Sequence, residues 1–189
     1  MSEARGAVLA ITSAKGGVGK SFFAANFAIA LLRETHGRAV LVDLDLDWAG
    51  DALLPLGPAP PRRSLAEMAP LLGSLPPGML KGYLDTHESG LQYLAAWPAP
   101  AQAAAITPEL AGRALDLLAQ AYDVVVVDLA TGFGAFNQAC LDQASHICLL
   151  LTPDVFAVNH TVLGLEALQA LAFPRQSAMP PMAMRRVRK

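Results

Sequence analysis

Residues 12–23 read TSAKGGVGKSFF, a glycine-rich loop set between an apolar run and an alanine-rich one. Residues 7–13 have the short, turn-bounded apolar pattern of a buried strand. From Lys20 the period turns helical, which predicts a face of Phe23, Phe27, Ala30 and Leu31 and a stop at Gly37. Strand, glycine loop and helix therefore follow in order, and the loop carries two lysines, Lys15 and Lys20, where a phosphate cradle needs one.

In the pattern G-x-x-x-x-G-K-[ST], Gly19, Lys20 and Ser21 match, while the first glycine falls on Ala14. The physical parts remain. Gly16, Gly17 and Gly19 let the backbone curl so that successive N–H groups point inward at phosphate oxygens, at a helix N-terminus whose dipole favours anions. Lys20 reaches the β and γ phosphates and the Ser21 hydroxyl suits Mg²⁺, so the expected ligand is a nucleoside triphosphate. A dinucleotide fingerprint beginning at Gly17 would need glycine or alanine where Phe22 stands.

Farther along, RAVLVDLD (38–45) is a second buried strand that turns acidic at its end, and 50–61 reads as a Pro/Gly loop. Ser64 with Glu67 fits a capping box before a stripe of Leu65, Met68, Leu71 and Leu72. Residues 91–97 predict a third strand. Thr107, Pro108 and Glu109 open a helix running to Tyr122. In YDVVVVDLA (122–130) four consecutive β-branched valines require burial on both faces. A helix over 136–144, a strand over 146–152 and a helix over 160–172 complete the alternation, with no internal repeat. The expected fold is α/β, a mostly parallel sheet with right-handed crossovers and helices on both faces. One domain spans 1–173, and 174–189 reads as a basic, Pro/Met-rich, disordered tail.

Three acidic positions matter to the chemistry. Asp128 closes the valine strand and matches the residue that holds Mg²⁺, usually through water, across from the loop serine. Asp43, Asp45 and Asp47 alternate, so they share one face if the strand continues. Carboxylates crowded beside a triphosphate repel it unless Mg²⁺ or lysine compensates. Asp45 is therefore read as orienting the attacking water, Asp43 as standing behind the metal or at a hinge, and Asp47 as facing solvent.

Composition narrows the rest. With 189 residues, 53% hydrophobic and 16% charged, the chain can bury one substantial core. A net charge of -2 supplies no general basic field for nucleic acid. Only the end, with Arg175, Arg185, Arg186, Arg188 and Lys189, is locally basic, which leaves open a weak DNA or membrane-surface contact. Cys140 and Cys148 are read as buried thiols, and the four histidines form no ligand cluster. No apolar run nears the ~20 residues that span a bilayer, so the expectation is a cytoplasmic protein that reaches a pole or membrane through a partner.

KGGVGKS (15–21), VDLD (42–45) and VVVVDLA (124–130), in that order, resemble the deviant Walker ATPases of the MinD/ParA class over residues 6–171. VDLDLDWAGDALL, GLQYLAAW and ITPELAGRALDLL are more particularly similar to its CpaE/TadZ and septum-site-determining-like branch. The resemblance implies a P-loop NTPase that hydrolyses ATP slowly as an ATP-dependent homodimer. Lys15 would cross to the partner's phosphates, acting with Lys20 and Asp45 in catalysis. Lys15, Gly16, Gly17, Val18, Gly19, Lys20, Ser21 and Phe22 would bind nucleotide, and Ser21, Asp43 and Asp128 would hold Mg²⁺, partly through water. Residues 129–136 would form the second switch, where LATGFGAF replaces the family's proline-alanine-glycine turn. The family's next strand, with its adenine-contacting asparagine, has no counterpart after 172, so the chain is read as shortened at its C-terminus.

The implied role is a spatial organiser for a pilus, septum or cell pole, answering to an activating or localising protein. Two other readings stay open. One is a nucleoid-binding partition ATPase, the other a non-hydrolysing binding module.

Overall fold

A computed structural model describes residues 5–48, 50–57, 61–74, 78–96 and 100–170. The 174–189 tail and Trp97, the end of the predicted third strand, lie outside the described residues. The chain forms β1 (Ala7–Thr12), α1 (Lys20–Thr35), β2 (Ala39–Leu44), β3 (Asp85–Thr86), β4 (Gln92–Leu94), α2 (Pro108–Ala121), β5 (Val124–Leu129), α3 (Ala135–Leu141), β6 (His146–Leu149) and α4 (Val155–Ala170). Short 3-10 turns fill the long stretch between β2 and α2.

The expected α/β fold is present: six strands lie in the order β3-β4-β2-β5-β1-β6, all parallel except the β3–β4 pair. Strand alternation sorts the core into two layers. Val40, Val42, Leu44, Val125, Val127 and Leu129 face α2 and α3, while Leu41, Val126 and Ile11 face α1. Asp43 and Asp128 fall on the α1 face by the same alternation. They are register partners on adjacent strands, at the C-terminal ends where an open parallel sheet presents its crevice. A slip of one residue in either strand would turn that strand's carboxylate into the opposite core layer.

Several expectations need correction. The buried face of α1 is Ala24, Ala25 and Ala28, not the Phe23–Leu31 stripe. Alanines let the helix lie close on the sheet, and Phe23 and Phe27 flank it as a stacked pair with centroids 5.2 Å apart. His36 at φ 53, rather than Gly37, supplies the left-handed residue that ends the helix. The Ser64 box is half formed. Glu67 accepts from Ser64 N at 3.0 Å, but Ser64 Oγ has no partner, and residues 65–74 wind as a 3-10 helix interrupted by Pro70.

Helix α4 starts five residues earlier than its apolar period suggests, because Asp154 caps it: Ala157 N donates to Asp154 Oδ1 at 2.9 Å. β3, only two residues long, has no counterpart in the sequence reading. The Thr107 cap is as expected, accepting from Leu110 N at 3.2 Å. Cys140 is buried, with its thiol pushed up to about 12 by burial, whereas Cys148 is only half-buried. No helix among the described residues is long and apolar enough to cross a membrane.

Candidate nucleotide site

The loop between β1 and α1 takes the shape its glycines allow. Gly17 at φ 75 and Gly19 at φ 88 lie in the left-handed region that other residues adopt only with strain. Gly19 stands at the N-cap of α1, so the first free N–H groups of that helix open onto the loop. Ala14, in the place of the pattern's first glycine, explains itself through α4. Its Cβ lies 3.2 Å from the point where a side chain at Gly164 would begin, so the methyl is accommodated against a glycine.

Lys20 is nearly buried, at 8% exposure. Its ammonium donates to Thr131 Oγ1 at 3.2 Å and stands 3.9 Å from Asp45 Oδ2. Ser21 follows it at the start of α1, beside Asp128. Lys15 behaves differently. It reaches to the β6–α4 side, where Nζ lies 3.1 Å from both carboxylate oxygens of Asp154. Hydrogen bonds from Thr152 Oγ1 and Ala157 N, followed by that from Lys15, hold the Asp154 carboxyl well below the usual carboxylate range.

The acidic group does not continue as one extended face. β2 ends at Leu44, and Asp45 folds into a turn in which its Oδ1 accepts from Asp47 N and Trp48 N, each at 3.2 Å. Asp47 faces solvent, as expected. Asp43, fully buried, accepts from Gly50 N at 2.6 Å and Asp45 N at 3.2 Å. Burial, with Asp128 alongside, nevertheless pushes its carboxyl up to about 8.

Burial likewise pushes Asp128 up to about 6, opposed by the Ser21 hydroxyl and the Lys20 ammonium. Ser21 is close enough to favour the carboxylate, yet no hydrogen bond of ordinary geometry reaches either Asp128 oxygen. Two buried, unpartnered carboxylate oxygens beside a serine hydroxyl fit a hydrated Mg²⁺, because they are acceptors that still need donors. Among the described residues no three His, Cys, Asp or Glu side chains cluster as direct ligands.

The structure thus brings Lys20, Ser21, Asp43, Asp45 and Asp128 to one end of the sheet and sends Lys15 aside. Phe22 is 67% exposed, so its contribution to a phosphate site is its backbone. Sequence reading missed Asp154 and Asn137, and took Thr131 only as part of the 129–136 switch. The only local signal was Thr152-Pro153-Asp154 ahead of an apolar stretch, a helix-start pattern. Asn137 Nδ2 donates to Ala130 O at 2.9 Å and Gly132 O at 2.8 Å, which fixes the loop after β5.

Residues 5–59 match the ParA family model, described as NUBPL iron-transfer P-loop NTPase. The flagellum site-determining protein YlxH of Helicobacter pylori is 29% identical over 163 residues, covering 80% of this chain and 50% of that protein. The chain therefore spans about half the length of that curated relative. A ParA family ATPase from Chlorobium tepidum superposes with a TM-score of 0.83 at 24% identity, covering 93% of this chain and 72% of that one. The septum site-determining protein MinD of Pyrococcus horikoshii, complexed with Mg-ADP, superposes at 0.72 with 21% identity, covering 87% and 65%. None of these singles out the CpaE/TadZ branch. The phosphate loop, the strand order and the paired strand-end carboxylates give the chain the P-loop NTPase fold that these ParA- and MinD-type proteins share, and its residues 5–59 resemble the ParA family.

Proposed function

We propose that the protein binds and slowly hydrolyses ATP as a nucleotide-dependent dimer, and that its output is the positioning of a partner protein rather than metabolic turnover. The observation that carries this reading is the division of labour between two lysines of one loop. Lys20 is enclosed with Asp45 and Asp128, whereas Lys15 sits at the rim on a pair that leaves it 37% exposed. A second lysine that the cradle does not use is chemically suited to phosphates presented by another copy of the chain.

The N–H groups of the loop and of the first turn of α1 bind the phosphates, and Lys20 neutralises the β and γ oxygens. Mg²⁺, held by Ser21 and through water by Asp128 with Asp43 behind it, would supply further charge neutralisation at those oxygens. Asp45 Oδ2 is the carboxylate oxygen not used by the Asp47–Trp48 turn, and it orients the attacking water. Lys15 from the second subunit stabilises charge that develops during γ-phosphoryl transfer. Loss of the γ-phosphate then releases the loop after β5 and loosens the dimer. In a cytoplasmic protein of this kind, the cell pole or membrane is reached through the partner.

Calorimetry with ATP and Mg²⁺ tests occupancy. Light scattering on wild type and Lys15→Ala, with and without Mg-ATP, tests the pair. The expected result is nucleotide binding by both and ATP-dependent dimerisation by wild type alone. Equal dimerisation and equal hydrolysis in the two proteins would remove Lys15 from the mechanism.

A further inference from the structure

Asp43, Asp45 and Asp128 are joined at the C-terminal end of the sheet by a further carboxylate, Asp51, in the loop after β2. The loop fixes where Asp51 stands. On one side Gly50 N donates to Asp43 Oδ2 at 2.6 Å, which ties the backbone to the register partner of Asp128. On the other side Ala52, fully buried, packs in the layer of Ala24, Ala25 and Ala28 of α1. Asp51 N donates to Trp48 O at 3.3 Å, and Leu53 N to Gly50 O at 2.9 Å, so the residue belongs to a hydrogen-bonded turn. Asp51 is thereby held between the end of β2 and the helix whose first turn carries Lys20 and Ser21.

Its side chain differs from those of its acidic neighbours. Asp43 and Asp45 each spend oxygens on backbone N–H groups. Asp51 is exposed, and among the described residues its carboxylate accepts no hydrogen bond and joins no ion pair. Its charge nevertheless reaches into the site. After burial, which acts most, the carboxylates of Asp45 and Asp51 push the Asp128 carboxyl up to about 6, against the Ser21 hydroxyl and the Lys20 ammonium. Asp128 is fully buried and neither of its oxygens has a donor. Two such carboxylates repel each other by themselves, and a divalent cation with its waters between them turns that repulsion into attraction. Lys15 cannot serve in that place, because its ammonium lies on Asp154.

We infer that Asp51 belongs to the metal side of the nucleotide site, where its carboxylate accepts from a water bound to Mg²⁺ and tightens the metal–nucleotide complex. The inference rests on the nucleotide reading above and adds a positioning residue to it. Ser21 touches the cation, while Asp128 from the buried side and Asp51 from the open side orient its waters. Without the cation the Asp51 charge repels phosphate, so this residue makes nucleotide binding depend on Mg²⁺.

The test is calorimetry of ADP binding to the full chain, in excess Mg²⁺ and in EDTA, for wild type, Asp51→Asn and Asp47→Asn. ADP avoids turnover, and the exposed, unbonded side chain spares the fold. Wild type is expected to bind more tightly with Mg²⁺ than in EDTA. Asp51→Asn should reduce that ratio about tenfold, the lower end for a group acting through a metal-bound water, by binding more weakly with Mg²⁺ and equally or more tightly in EDTA. Asp47→Asn, on the same loop but facing solvent, should keep the wild-type ratio. An unchanged ratio for Asp51→Asn, an equal loss in both conditions, or an equal reduction by Asp47→Asn would overturn the role of Asp51 while leaving nucleotide binding in place. A wild type that binds ADP equally in both conditions would remove the metal and Asp51 together, and one that binds ADP in neither would overturn the nucleotide reading as well.

Discussion

Lys15 and Asp154 are joined by an ion pair in which Nζ lies 3.1 Å from each carboxylate oxygen, across 139 residues of sequence. The loop's second lysine is thus held by the cap of α4, within its own chain. A lysine that must reach another subunit has first to leave this partner. Asp154→Asn keeps the helix cap, since asparagine caps as well as aspartate, and removes the charge. The expected outcome is ATP-dependent dimerisation at lower protein concentration, by up to about fivefold, the upper end for a partly exposed pair. Light scattering over a concentration series measures it, and an unchanged midpoint would show that Asp154 does not restrain Lys15.

Asp43 and Asp128 pose a different problem, because both are buried side by side with folded values pushed up to about 8 and about 6. A carboxyl raised in this way holds its proton in the folded state while the unfolded chain has lost it. Stability without ligand is therefore greatest below about pH 4 with respect to these groups, and it falls as pH rises through the window up to about 8. Asp43→Asn removes that slope but gives up one acceptor, with Asp45 N the weaker of the two donors at 3.2 Å. Thermal melts should show the variant roughly 1–2 kcal/mol more stable than wild type at pH 8 and no better at pH 4.5. Parallel pH profiles for the two proteins would mean that Asp43 is charged in the fold.

What could be read from sequence was local. The four valines of 124–127, the glycine loop and the Thr107 cap each carry their structural reason within a few residues, and each is present as expected. The failures share a cause in tertiary context. The Phe23–Leu31 stripe lost to alanines because close helix–sheet approach favours small side chains, which periodicity does not weigh. Helix α4 buries only Ala157, Thr161, Gly164 and Leu168, leaving Val155 and Phe156 exposed, so apolar pattern misplaces its start. Within the site, Lys20, Ser21 and Asp128 follow from motif order. Asp154 and Thr131 do not, because their partners lie more than a hundred residues away.

Glycines inside helices separate two kinds of packing. At Gly112 in α2 an added Cβ meets nothing within 4 Å, whereas at Gly164 in α4 it would stand 2.9 Å from Phe133 Cε2 and 3.2 Å from Ala14 Cβ. Gly112→Ala should therefore stabilise by about 0.5–1 kcal/mol through helix propensity alone. Gly164→Leu should destabilise by about 1–3 kcal/mol through overpacking and should also weaken nucleotide binding, since the atoms displaced belong to the phosphate loop and the loop after β5. Denaturant melts check both changes. A neutral Gly164→Leu would show that α4 is free to move off the loop.

Asp45 carries the last prediction because its two oxygens have separate tasks. Oδ1 closes the Asp47–Trp48 turn, and Oδ2 stands 3.9 Å from Lys20 Nζ, where a water beside the γ-phosphate would need an acceptor. Asp45→Asn retains an oxygen for the turn and removes the negative charge that draws a proton from water. Mg-ATP affinity should stay within about threefold, and the single-turnover hydrolysis rate should fall at least about 100-fold, the usual contribution of a positioned base. That split separates orientation of water from assembly of the pocket: a pocket defect would weaken binding as well, and unchanged turnover would move the water-orienting role to another group.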